Sequence, residues 1–120
     1  MLATLGLILT AVVAALHLYF LVLEMFLWDK PMGRKVFGLT REFATASKGL
    51  AANQGLYNGF LVAGLVWGLL LGPVAGRPIV FFFLGCVVVA GVFGAATVSK
   101  KIFFVQALPA LIAEALLWLA

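Results

Sequence analysis

Acidic side chains are nearly absent from this chain: Glu24, Asp29, Glu42 and Glu114 are the four among 120 residues. Charged residues of both signs make up 10% of the sequence, against about a quarter in ordinary water-soluble domains. Cysteine and histidine are scarcer still. A lone Cys86 excludes an internal disulfide and CxxC redox chemistry, and a lone His17 excludes a bis-histidine haem or a histidine-rich metal site. No nucleophile motif, metal-ligand cluster or phosphate-binding loop occurs, so neither a metal nor an organic cofactor is expected. The apolar segments show no two-residue alternation, which excludes a membrane β-barrel.

What fills the chain is hydrocarbon. It is 66% hydrophobic with a mean hydropathy of +1.25. Four apolar segments, about 2–28, 50–71, 79–98 and 102–120, each reach the roughly 19 residues needed to cross a hydrocarbon core of about 30 Å. They predict an all-α integral membrane protein. Residues 1–120 form a single four-helix transmembrane domain, with helices at about 2–28, 41–71, 79–98 and 102–120 and the lipid bilayer as its surroundings. The first segment is too long for a signal-peptide core and has no basic residue before it, so it is read as retained.

Basic residues set the orientation. Loop one holds Lys30, Arg34, Lys35, Arg41 and Lys48, and loop three holds Lys100 and Lys101. Loop two, Gly72-Pro73-Val74-Ala75-Gly76-Arg77-Pro78, holds one. Cytoplasmic loops are enriched in Lys and Arg, so loops one and three are placed in the cytoplasm and the N and C termini outside. The formal charge of +4 therefore reads as membrane orientation, and no nucleic-acid partner is expected. Within loop one, Pro31-Met32-Gly33 breaks the chain after Trp28, an interfacial anchor. Thr40 is placed as an N-cap with Glu42 in the first turn, so helix two starts near Arg41. Phe37 and Phe43 are expected at the lipid surface there, and the run Phe81-Phe82-Phe83 is expected to face lipid.

Ionisable groups inside such spans are costly and usually functional. Glu24 lies near the end of the first span, seven residues after His17. That is nearly two helical turns, so the two share one face about 10 Å apart along the axis. Helix two opens with Asn53-Gln54-Gly55-Leu56-Tyr57-Asn58. At 100° per residue Asn53, Gln54, Tyr57 and Asn58 cover an arc of about 140°, which should face protein or a water-filled cavity. With the orientation above, Glu24, these amides and Gln106 of helix four fall at one depth in the cytoplasmic half. Pro109 should kink helix four just beyond Gln106. Glu114 lies in the outer half, where it either lines a cavity or approaches the external interface. The plain alternatives are an interfacial Glu24 paired with Lys30 or another loop-one base, a core His17, and amides that merely tie helices together. Ala51, Gly55, Gly59 and Ala63 form one small-residue ridge and Gly64, Gly68 and Gly72 another. Both suit packing within the chain or a homodimer.

The segments His17-Leu18-Tyr19-Phe20-Leu21-Val22-Leu23-Glu24-Met25-Phe26, Asn53-Gln54-Gly55-Leu56-Tyr57-Asn58-Gly59-Phe60 and Gln106-Ala107-Leu108-Pro109-Ala110 resemble the hallmarks of a small bacterial membrane family, domain of unknown function 1304. The resemblance runs essentially end to end, including Phe37-Gly38-Leu39-Thr40 and Gly91-Val92-Phe93-Gly94-Ala95-Ala96-Thr97. It implies a four-helix multi-pass protein of the inner (plasma) membrane and carries no activity to borrow. The layout is more loosely similar to DoxX-like four-helix proteins.

Three functional classes stay open on the residues. The first is a bundle that binds or transports a small amphiphilic, lipid-like or cationic ligand, with proton coupling through Glu24. Its ligand-binding set is His17, Glu24, Asn53, Gln54, Tyr57, Asn58, Gln106 and Glu114. The second is a membrane enzyme acting on a lipid, quinone or isoprenoid-like substrate, with His17 and Glu24 as acid–base groups serving opposite ends of it. The third is a structural or accessory subunit docked through its glycine ridges.

Overall fold

The computed structural model describes residues 1–120. It is all-α, with helices α1 (Leu2–Met25), α2 (Pro31–Phe37), α3 (Arg41–Leu70), α4 (Arg77–Thr97) and α5 (Leu108–Leu119). A π-helical stretch, Phe103–Ala107, leads directly into α5. The chain divides into two compact units: Leu16–Val62, and Met1–Ala15 together with Ala63–Ala120.

Two helices, α1 and α4, are long and apolar enough to cross a membrane, with mean hydropathies of 2.4 and 2.6 over their most apolar stretches. Only 28% and 22% of those stretches are buried within the protein. The core helix of a water-soluble domain is mostly buried, and these two are not. Phe103–Leu119 is a shorter apolar helix, at the lower limit of a span. Helix α3 has the length, but its amides lower its hydropathy.

In the Leu16–Val62 unit the sequence reading needs one change. Pro31-Met32-Gly33 does not simply interrupt the chain; it starts a short helix. The residue before a proline is pushed out of the α region, and Lys30 is extended (φ −87°, ψ 161°), which ends the preceding turn. Proline then suits the first helical position, where its missing N–H costs nothing. Helix α2 stops at Gly38, in the left-handed conformation at φ 66°, whose N–H and that of Leu39 both donate to the Arg34 carbonyl. The N-cap of α3 is as expected: the Phe43 N–H donates to Thr40 Oγ1 at 3.1 Å, and Glu42 sits in the first turn. Trp28 packs against Phe37 with the rings tilted at 47° and 4.9 Å between centroids, and donates its indole N–H to Ser47 Oγ at 3.0 Å, fastening the α1–α2 turn to α3. Phe43 is exposed.

In the other unit, α4 packs along the π stretch and α5. Val80, Leu84, Val87 and Gly91 recur on one stripe of α4 and are buried, as are Ala107, Ala110, Ala113 and Leu117 on the facing segment. The backbones approach closely at Gly91, where a β-carbon would fall 2.6 Å from Ala107 N. Just before Pro109 the helix is π-helical, with the Leu108 N–H reaching back five residues to the Phe103 carbonyl, and it continues into α5. The phenylalanine run splits: Phe82 faces outward, whereas Phe83 packs against Gly64 of α3. At the far end Arg77 donates to the Leu117 carbonyl at 2.8 Å and stacks over Phe81 at 5.0 Å, covering the C-terminus of α5.

Candidate functional site

The first unit holds a carboxylate clasped by two amides. Glu24, in the last turn of α1, is 4% exposed. Asn58 Nδ2 donates to Oε1 at 2.5 Å and Gln54 Nε2 donates to Oε2 at 2.8 Å. The two amides are four residues apart on α3, so one helical turn presents both to the same carboxylate. Asn58 is buried, while Gln54 sits at the exposed rim. Between them, Gly55 lets the helices touch: a β-carbon there would fall 2.5 Å from Met25 Cγ and 3.2 Å from Glu24 Cβ. Gly59 likewise lies against Leu21. This ridge is thus occupied inside the chain, as Gly64 and Gly68 are by Phe83 and Val80, and a homodimer gains no support from them.

No basic side chain pairs with Glu24. The loop-one base that makes an ion pair is Lys48, whose Nζ lies 3.3 Å from Asp29 Oδ2. Its hydrogen bond holds the Asp29 carboxyl below the ordinary aspartate range. His17 is fully buried one face-repeat earlier on α1, with its ring edge-on to Phe20 at 5.6 Å.

The expected arc on α3 does not act as one lining. Asn53 and Tyr57 are exposed, with Tyr57 at 55% and its ring beside Phe60. The reason is geometric. On a helical wheel Asn53 and Tyr57 lie within 40° of each other, as do Gln54 and Asn58, with about 60° between the pairs. Helix α1 covers the second pair only. Gln106, half-buried in the π stretch, and Glu114, half-buried on α5, belong to the other unit.

Two features of the molecule have little mark in its sequence. The Asp29–Lys48 and Trp28–Ser47 ties were foreshadowed only by the i, i+1 placement of both pairs, which brings each tie to the same helix end. A groove along α4 has no sequence signal beyond small residues at Gly85, Cys86 and Ala90.

These features define a class: an all-α protein with two helices fit to cross a membrane and a buried carboxylate held between α1 and α3 by neutral amides. Residues 11–118 match the model of the family described as Protein of unknown function (DUF1304), and the chain belongs to that family. It is 31% identical over 104 residues to the uncharacterized protein YpaA of Lactococcus lactis subsp. lactis (strain IL1403), across 85% of this chain and 87% of that protein. No solved structure matches it.

Proposed function

We propose that the protein is a four-span membrane protein, with loops one and three cytoplasmic and both ends outside, that binds a small amphiphilic or cationic ligand at Glu24. The observation that carries this reading is the Glu24 carboxylate, enclosed near the end of an apolar helix and held by neutral donors alone. Carboxylates at membrane depth face a bundle interior and mark ion, proton or substrate paths. The two amides orient the oxygens without supplying positive charge, and a proton or an organic cation supplies it. Gln54, at the exposed rim, is the member of the cluster that an incoming ligand meets first. His17 extends the same face of α1 toward the middle of the bilayer. The low internal burial of α1 and α4 and the seven-to-one distribution of basic residues support the membrane placement.

Native mass spectrometry of protein released from lipid nanodiscs tests the site. The wild type retains a bound small molecule, and Glu24→Gln and Asn58→Ala lose it. A wild type free of any adduct, or variants that keep it, would sink this reading.

A second reading, a cross-brace between α1 and α3, is favoured by the close approach at Gly55. Buried polar clusters that serve only packing can be replaced by apolar residues of similar volume without loss. A brace therefore predicts that the double variant Glu24→Met, Asn58→Leu stays folded and keeps any adduct.

A further inference from the structure

The unit that does not hold Glu24 carries a shallow, outward-open groove of about 670 Å³ along α4. Phe81, Phe82, Gly85, Cys86, Val89 and Ala90 follow one another along its α4 side. The lining has one charged member, Glu114, reaching in from α5. Its Oε1 overhangs Gly85, 3.5 Å from where a β-carbon would stand. No donor and no cation of the protein engages this carboxylate. The nearest positive charge in the sequence of α4 is Arg77, and its guanidinium is committed to the Leu117 carbonyl and the Phe81 ring. Trp118, one turn beyond Glu114, packs edge-on against Phe81. Arg77 at the start of α4 and Trp118 at the end of α5 stand at the same end of the helix pair, a pairing suited to a membrane interface, and on the proposed placement the carboxylate lies about one turn, roughly 5 Å, below it.

A lone carboxylate, aromatic faces and apolar walls complement one kind of ligand. An organic monocation places its charge against Glu114 and the Phe82 ring, away from the Arg77 end, and its apolar body along α4. An anion meets repulsion there, and a neutral lipid chain leaves the carboxylate without a partner.

We infer that the α4–α5 groove is a binding site for a lipophilic organic monocation, with Glu114 as its charge partner and Gly85 as the space that admits it. The inference rests on the membrane placement proposed above and not on Glu24.

The probes are tetraphenylphosphonium and tetraphenylborate, which share a shape and differ in charge. Equilibrium dialysis is run on full-length protein in nanodiscs of zwitterionic lipid, with empty nanodiscs subtracted. The wild type binds tetraphenylphosphonium saturably and at least tenfold more tightly than tetraphenylborate. Glu114→Gln and Gly85→Leu each weaken binding tenfold or more, whereas Glu42→Gln, an exposed acid, leaves it unchanged. Cys86, the single cysteine, gives a readout that needs no variant: tetraphenylphosphonium slows its alkylation by a small maleimide, and tetraphenylborate does not. Equal binding of the two probes, unslowed alkylation, or full affinity in folded Glu114→Gln overturns the site. Binding lost in Glu24→Gln but kept in Glu114→Gln also overturns it and assigns the cation to the Glu24 cluster.

Discussion

Asn58 of α3 places its amide nitrogen 2.5 Å from one oxygen of Glu24 on α1, while Gln54 serves the other oxygen from one turn earlier. Both partners of the shorter bond are buried, whereas Gln54 has solvent or lipid beside it. The two amides are therefore unequal. Asn58→Leu strips a buried carboxylate oxygen of its donor and should lower stability by about 1–3 kcal/mol. Gln54→Leu should cost less, near the ~0.6 kcal/mol average for interhelical bonds in membranes. Thermal unfolding of the two variants in the same detergent checks the order; an equal or reversed order contradicts the buried clasp.

Gly55 and Gly49 separate close approach from mere flexibility. A β-carbon at Gly55 meets Met25, Glu24 and Leu21, while one at Gly49 meets nothing within 4 Å. Gly55→Leu should prevent α1 and α3 from seating and collapse the melting transition. Gly49→Ala should be neutral or stabilise by up to about 1 kcal/mol, because it removes glycine from a helix interior. A Gly55→Leu protein that melts like the wild type contradicts the packing.

Asp29, in the turn between α1 and α2, gives a pH-dependent signature. Its folded value is depressed, first by the Lys48 hydrogen bond. The pair's contribution to stability is then present above the unfolded aspartate value of about 3.9. It fades as pH falls through the lower folded value. Carboxyl NMR titration should show Asp29 rising toward the ordinary value in Lys48→Met. An unmoved midpoint excludes the ion pair as the cause.

Membrane topology is checked by fusions at the C-terminus. Alkaline phosphatase should be active there, and a green fluorescent protein exported by the general secretory route should be dark. The opposite result reverses the orientation proposed from the basic loops.

Much of this was legible in the residues because it depends on local chemistry. Thr40 as a cap follows from its hydroxyl and the acidic turn after it. Glu24 stood out since a carboxylate in an apolar run has few benign explanations, and its amide partners lay on one turn of α3. Other features depend on which neighbour covers a surface. A helical wheel gave the arc from Asn53 to Asn58 but not that α1 would cover only the Gln54 and Asn58 half. Pro31 read as a breaker because its effect on Lys30 and its fitness to start α2 have the same sequence signature. The groove beside Glu114 needed Gly85 to be opposite it, a juxtaposition between helices that no spacing along the chain encodes.

The π stretch has a consequence for which length changes the chain tolerates. A π turn is an α-helix holding one surplus residue. Deleting one residue from Phe103–Ala107 returns an ordinary helix and leaves everything downstream facing as before. The same deletion inside α5 turns the residues beyond it by about 100°, carrying Glu114 away from Gly85 whenever it falls before it. Single-residue gaps among relatives of this chain should therefore collect in those five positions and avoid the turns that follow.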